Sequence, residues 1–139
     1  MSTRAYAPLD FYQLLHLAAQ HGESKTSEMT FDLYLRAMPS TWNYTLFVGL
    51  EAMLADLLGP GASRDLLTWA QGLPALRDVP AAFFDELSGA VFTGDVWSIP
   101  EGTPIVPGTP VVRVRGPSLL LGLWAVSYTH LTLPTILRV

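Results

Sequence analysis

The chain has 139 residues, half of them hydrophobic, no cysteine and a formal net charge of −4. That composition suits one folded domain and excludes a disordered or fibrous chain, a disulfide framework and a thiolate metal site. Lysine and arginine together number eight and form no cluster, so nucleic-acid binding has no electrostatic basis, and no run approaches the roughly 18 apolar residues of a membrane span.

Charged residues make up 14% of the chain against roughly 25% in soluble domains, which implies that part of the nominal surface is covered by a partner or by further chain. The N-terminus carries Arg4, Pro8 and Asp10 and lacks an apolar run before a small-residue cleavage site. It is no secretory signal, which together with the missing cysteines fits a cytoplasmic protein.

From Asp10 to Gln20, Phe11, Leu14, Leu15 and Ala18 recur at helical spacing, with Asp10 as N-cap and Gly22 as stop. Met29, Phe31, Leu33 and Leu35 then alternate with Glu28, Thr30, Asp32, Tyr34 and Arg36, the pattern of a half-buried strand ended by Pro39. Asn43 is placed to cap a helix over Tyr44 to Leu58, where Phe47, Leu50, Met53, Leu54 and Leu57 form a stripe stopped by Gly59-Pro60. Ser63 and Asp65 open a short helix through Gln71, and Pro80 stands in the first turn of another running to about Ser88.

The helices give way at Phe92 to a stretch of short alternating runs that ends at Pro117. Val96, Ser98, Ile105, Val112 and Val114 sit in those runs, interrupted by Gly94-Asp95, Pro100-Glu101-Gly102, Pro107-Gly108 and Gly116-Pro117. Proline presets φ and glycine supplies positive φ, so the chain reverses tightly. Four strands in a small antiparallel sheet are expected, with Arg113 and Arg115 on a wet or ligand-facing side opposite Val112 and Val114. The predicted class is α+β: helices packed with a small antiparallel sheet, and the start of a new helix after Pro117.

Residues Val126 to Thr135 back-translate to GTC TCT TAT ACA CAT CTG ACG CTG CCG ACG, which resembles the read-through of a transposase sequencing adapter. One leftover adapter base plus an index of about eight bases would encode Ile136, Leu137 and Arg138, and the adapter's next bases, GTG TAG, give Val139 and a stop. Residues 1–124 are therefore expected to be a native, truncated domain and residues 125–139 translated adapter. Trp124 is the last residue read as native, and His130 is set aside as a catalytic candidate.

No P-loop, GxSxG, HExxH or CxxC motif occurs. His16 and His21 do not have the i, i+4 spacing of a helical metal pair, and Asp95 and Glu101 flank turns and read as structural. Zinc is not expected.

Three blocks resemble the N-terminal part of the nicotinate phosphoribosyltransferase family. Asp10-Phe11-Tyr12-Gln13-Leu14 is similar to its DLYQL segment. Phe31-Asp32-Leu33-Tyr34-Leu35-Arg36 with Pro39, Tyr44 and Gly49-Leu50-Glu51 is similar to its F-x-L-x-x-R-x-x-P strand and the Y-x-x-x-x-G-L-E helix that follows. The stretch from Phe92 to Pro117 is similar to F-x-G-D-V-x-A-x-P-E-G-T-P-x-x-P-x-x-P-x-x-R-V-x-G-P, the most specific of the three. Leu9, His16 and Arg115 depart from the common family residues.

The resemblance implies an enzyme joining nicotinate to phosphoribosyl pyrophosphate, with ATP hydrolysis coupled through a phosphorylated histidine, Mg²⁺, and a homodimer, in the salvage route to NAD. It implies that Tyr12 stacks on the pyridine ring from the neighbouring subunit and that Arg36 reaches a phosphate. As plain structure, Tyr12 is a core-edge tyrosine and Arg36 a solvated strand charge. The phosphorylated histidine and the phosphate-binding loops would lie beyond Trp124, so no catalytic residue is assigned and the isolated chain is expected to be inactive. Two alternatives remain at this stage. One is a sister nicotinamide or quinolinate phosphoribosyltransferase. The other is a non-catalytic binding module of the biotinyl or lipoyl carrier type, which requires a lysine on an exposed hairpin, whereas Lys25, the sole lysine, precedes the first strand.

Overall fold

A computed structural model describes residues 11–21, 27–59 and 62–131. The expected cap Asp10, stop Gly22, Lys25, Pro60 and the last eight residues lie outside the described residues. The chain runs through α1 (Phe11–Gln20), β1 (Glu28–Tyr34), β2 (Thr45–Leu46), α2 (Leu50–Leu57), α3 (Arg64–Gln71), a 3-10 turn (Pro74–Leu76), α4 (Ala81–Gly89), β3 (Asp95–Ser98), β4 (Pro104–Ile105), β5 (Pro110–Pro117) and α5 (Ser118–Leu131). The expected α+β class is found.

β5 is the centre of a three-stranded antiparallel sheet in the order β1-β5-β3. Thr30 pairs with Arg115 and Asp32 with Arg113 on one side, and Asp95 with Arg115 and Trp97 with Arg113 on the other. The alternation read from β5 holds over its C-terminal part: Val112 and Val114 are buried and Arg113 and Arg115 exposed. It breaks at Val111, also buried, because the register slips between Leu33 and Tyr34, where Leu33 faces Val112 and Tyr34 faces Pro110. The extra residue bends the strand inward, and its carbonyl accepts the Ile99 N–H at 3.0 Å.

Several boundaries differ from the sequence reading. The helix expected from Tyr44 begins only at Leu50, because Thr45 and Leu46 pair with Ile105 and Pro104 in a separate two-stranded ribbon. Gly49, at φ 98°, turns the chain between ribbon and helix. The expected four-stranded unit is three strands among the described residues, and β4 belongs to the ribbon with β2. Gly94-Asp95 leads into β3, and Gly116-Pro117 stays inside β5. The first strand stops at Tyr34, so Arg36 falls just past it. Ser63 does cap α3, its hydroxyl accepting the Leu66 N–H at 3.2 Å, while Pro80 takes the N-cap position of α4.

Two apolar clusters form the core. One gathers Phe47, Met53, Leu57, Ile105, Val111, Val112 and Val114 under the sheet and ribbon. The other gathers Leu14, Leu17, Leu67, Ala70, Leu76, Phe83, Phe84 and Leu87 among the helices. α5 joins them, contributing Leu121 and Trp124 to the first and Leu123 to the second. No described helix is long and apolar enough to cross a membrane.

Candidate functional site

Tyr12 stands in the first turn of α1, 73% exposed. Its helix is docked by Leu14 and Leu17, which fall on the opposite side at helical spacing and are buried in the helical cluster. Arg36 is exposed, beyond β1, where Gly108 N–H donates to the Leu35 carbonyl at 2.8 Å and ties the strand's exit to the Pro107-Gly108 turn. Among the described residues Arg36 forms no ion pair. The two candidates thus extend from the two different clusters, Tyr12 from the helical one and Arg36 from the sheet one.

The two strand arginines are already engaged. Arg113 donates from Nε and Nη2 to the two carboxylate oxygens of Asp32, at 2.6 and 2.7 Å. Arg115 grips Glu28 through Nε at 2.9 Å and through Nη2. The Asp32 carboxyl is held below its ordinary range by the hydrogen bonds from Arg113, a little desolvation opposing and the arginine's charge adding to the effect. Both guanidiniums are raised further by their carboxylates, hydrogen bonding first. These pairs span from β1 to β5 and leave Tyr34 and Trp97 exposed on the same outer face of the sheet.

Glu101 does more than flank a turn. Its Oε1 accepts the N–H groups of Gly49 at 2.5 Å and Leu50 at 2.6 Å, placing a negative charge on the first free donors of α2. The backbone supports it: Gly102 N–H donates to the Phe47 carbonyl and Phe47 N–H to the Thr103 carbonyl. Local sequence reasoning missed this role, although Gly49 before Leu50-Glu51 was a signal that a helix could begin there. His16 is exposed, and His21 bonds Glu86. Among the described residues no group of three or more His, Asp or Glu is poised to hold a metal ion.

The family profile described as the nicotinate phosphoribosyltransferase (NAPRTase) N-terminal domain matches residues 9–131. The chain belongs to the nicotinate phosphoribosyltransferase family. It is 31% identical over 108 residues to a nicotinate phosphoribosyltransferase of Mycobacterium tuberculosis, covering 78% of this chain and 23% of that protein. It is 34% identical over 111 residues to nicotinate phosphoribosyltransferase 2 of Arabidopsis thaliana, covering 78% of this chain and 19% of the relative. The crystal structure of human nicotinic acid phosphoribosyltransferase superposes with a TM-score of 0.71 at 27% identity, over 85% of this chain and 24% of the human one. The chain therefore spans less than a quarter of the length of these relatives, and what matches is the N-terminal domain of the nicotinate phosphoribosyltransferases.

Proposed function

We propose that this chain is the N-terminal domain of an enzyme that forms nicotinate mononucleotide from nicotinate and phosphoribosyl pyrophosphate with coupled ATP hydrolysis, in the cytoplasmic salvage of NAD. The observation that carries the reading is the profile match over residues 9–131, supported by the shared fold with the human enzyme. In that enzyme Tyr12 stacks on the nicotinate ring from one subunit of a homodimer into the site of the other, and Arg36 meets a phosphate. Such a ring contact contributes about 0.5 to 1.5 kcal/mol beyond the area it buries. The exposure of both side chains supports these roles: Tyr12 stands outward on a helix whose other side is packed, and Arg36 is exposed in the segment just past β1.

Among the described residues no group of three or more His, Asp or Glu gathers to hold Mg²⁺; the metal, ATP and the phosphorylated histidine belong to the remainder of the enzyme. The isolated chain is accordingly inactive. On the same reading residues 125–139 are translated adapter, although α5 and the profile match both continue to residue 131, as a leucine-rich run allows. Source codons other than those given above would overturn that assignment.

The enzymatic reading is tested by supplying the purified chain with nicotinate, phosphoribosyl pyrophosphate, ATP and Mg²⁺. No nicotinate mononucleotide is expected, and chain-dependent turnover would refute the fragment assignment. In the full-length enzyme, Tyr12→Ala is expected to weaken nicotinate binding markedly, and an unchanged affinity removes Tyr12 from the site.

A further inference from the structure

α1 and the turn that closes it carry two opposed stripes. Leu14 and Leu17 on α1 and His21 in the turn just past Gln20, spaced i, i+3, i+7, face the core, the leucines buried and the His21 side chain only 11% exposed. Tyr12, His16 and Ala19, spaced i, i+4, i+7, are all exposed on the other side. The direction in which Tyr12 points therefore depends on the roll of α1 about its own axis. Leucine packing sets which face of α1 turns inward, and a directional bond fixes the angle within that face more sharply than apolar contact does.

His21 supplies that directional bond. Its ring meets Phe83 edge-on, with centroids 5.3 Å apart at 77°, and its Nε2 donates to Glu86 Oε2 at 3.2 Å. Both partners lie on α4, and Phe83 is itself fully buried and T-shaped against Phe84. Hydrogen bonds and aromatic edges weaken steeply when misaligned, so this contact fixes one roll angle. It acts at the end of α1 remote from Tyr12, about 13 Å away along a helix rising 1.5 Å per residue.

We propose that His21 and Glu86 are a positioning pair, locking the roll of α1 on α4 and thereby setting the presentation of Tyr12. The functional half of this inference rests on the assignment of Tyr12 to nicotinate; the mechanical half does not. Sequence spacing alone leaves His21 as a surface or capping histidine, because its partner lies 65 positions away.

Three substitutions separate the parts. His21→Phe keeps a ring against Phe83 and removes the hydrogen bond, Glu86→Ala removes the acceptor, and Glu86→Gln retains an acceptor oxygen. In the chain itself, amide hydrogen exchange over Phe11–Gln20 is expected to run about three- to tenfold faster in His21→Phe and Glu86→Ala, with α4 unchanged and Glu86→Gln close to the parent. Unchanged exchange in both variants overturns the lock. In the full-length enzyme the same two variants are expected to raise KM for nicotinate by a similar factor with kcat within about twofold, and Glu86→Gln to rescue. If Tyr12→Ala raises KM and the pair variants do not, the positioning role is overturned. If Tyr12→Ala itself leaves KM unchanged, the assignment of Tyr12 falls and takes the functional half with it, while the exchange result still decides the lock.

Discussion

Around Val112 and Val114 the chain is fixed by register: β5 pairs on both sides, Gly94 lies against its backbone, and arginine–carboxylate pairs join it to β1. Around Phe83 and Leu87 the chain is fixed by packing: α1, α3, α4 and the 3-10 turn contribute apolar faces. The first arrangement specifies which residue sits opposite which. The second tolerates small slides and rolls, and so needs a contact such as His21–Glu86 wherever orientation matters. α5 carries leucines into both clusters, which makes the cooperativity of the domain a question about one helix.

The largest effect is expected at the centre of the helical half. Phe83 is fully buried and touches both His21 and Phe84, so Phe83→Ala is expected to cost about 3–5 kcal/mol through lost burial and a residual cavity. Urea unfolding checks this. One transition at a lower midpoint with an unchanged slope means that α5 couples the halves; two transitions mean that the sheet half survives alone.

In the sheet half, Gly94 is the sharper test. A Cβ there would fall 2.7 Å from the carbonyl carbon of Arg115 and 2.8 Å from the Gly116 Cα, both backbone atoms. Gly94→Ala is expected to cost about 1–3 kcal/mol, less than the core truncation because β3 is a short edge strand that peels away locally. Hydrogen exchange is expected to rise in Asp95–Ser98 and in the facing amides of β5 and not in α4. A rise throughout would show that the edge strand is integral to the whole fold.

The seam between ribbon and α2 comes next. Glu101→Ala removes an acceptor shared by two helix-terminal N–H groups and is expected to cost about 1 kcal/mol, while Glu101→Gln retains an acceptor and costs less. Equal losses in the two variants would show that charge, not the hydrogen bond, matters.

The contrast between the halves also explains what the sequence made legible. Pro100-Glu101-Gly102 and Pro107-Gly108 located two turns, because proline and a positive-φ glycine act through their own φ angles, whereas Gly94-Asp95 and Gly116-Pro117 proved to lie at or inside strands. The same reasoning ran a helix through Thr45 and Leu46, whose apolar spacing suits a helix, since their pairing with Ile105 and Pro104 comes from a segment sixty residues on. Alternation placed Arg113 and Arg115 outward, but Asp32 and Glu28 became their partners only through the register of β1. Val111 escaped because a bulge breaks the alternation on which the strand was read. Of the candidate site, the motif blocks singled out Tyr12 and Arg36, and the structure adds how each is held: a helix roll set from α4, and a strand exit tied to Gly108.

The smallest effect belongs to the Asp32–Arg113 pair, and its sign is its most useful property. Both side chains are substantially exposed, Arg113 at 55% and Asp32 at 32%, so water and salt screen the pair and its share of stability is slight. Hydrogen bonds from Arg113 lower the folded-state pKa of Asp32. A carboxyl depressed by folding adds stability that is complete above its unfolded value, about 3.9 for aspartate, and lost as pH falls through the folded value. The stability difference between the parent and Asp32→Asn is therefore expected to be constant near neutrality and to shrink below about pH 4. Arg113→Gln is expected to abolish that acid dependence while leaving the helical half unmoved, as read by hydrogen exchange in α4. A difference that persists unchanged to low pH would mean that β1 is held on β5 by its backbone ladder and the inward Phe31 and Leu33 alone, with the outer ion pairs contributing nothing to register.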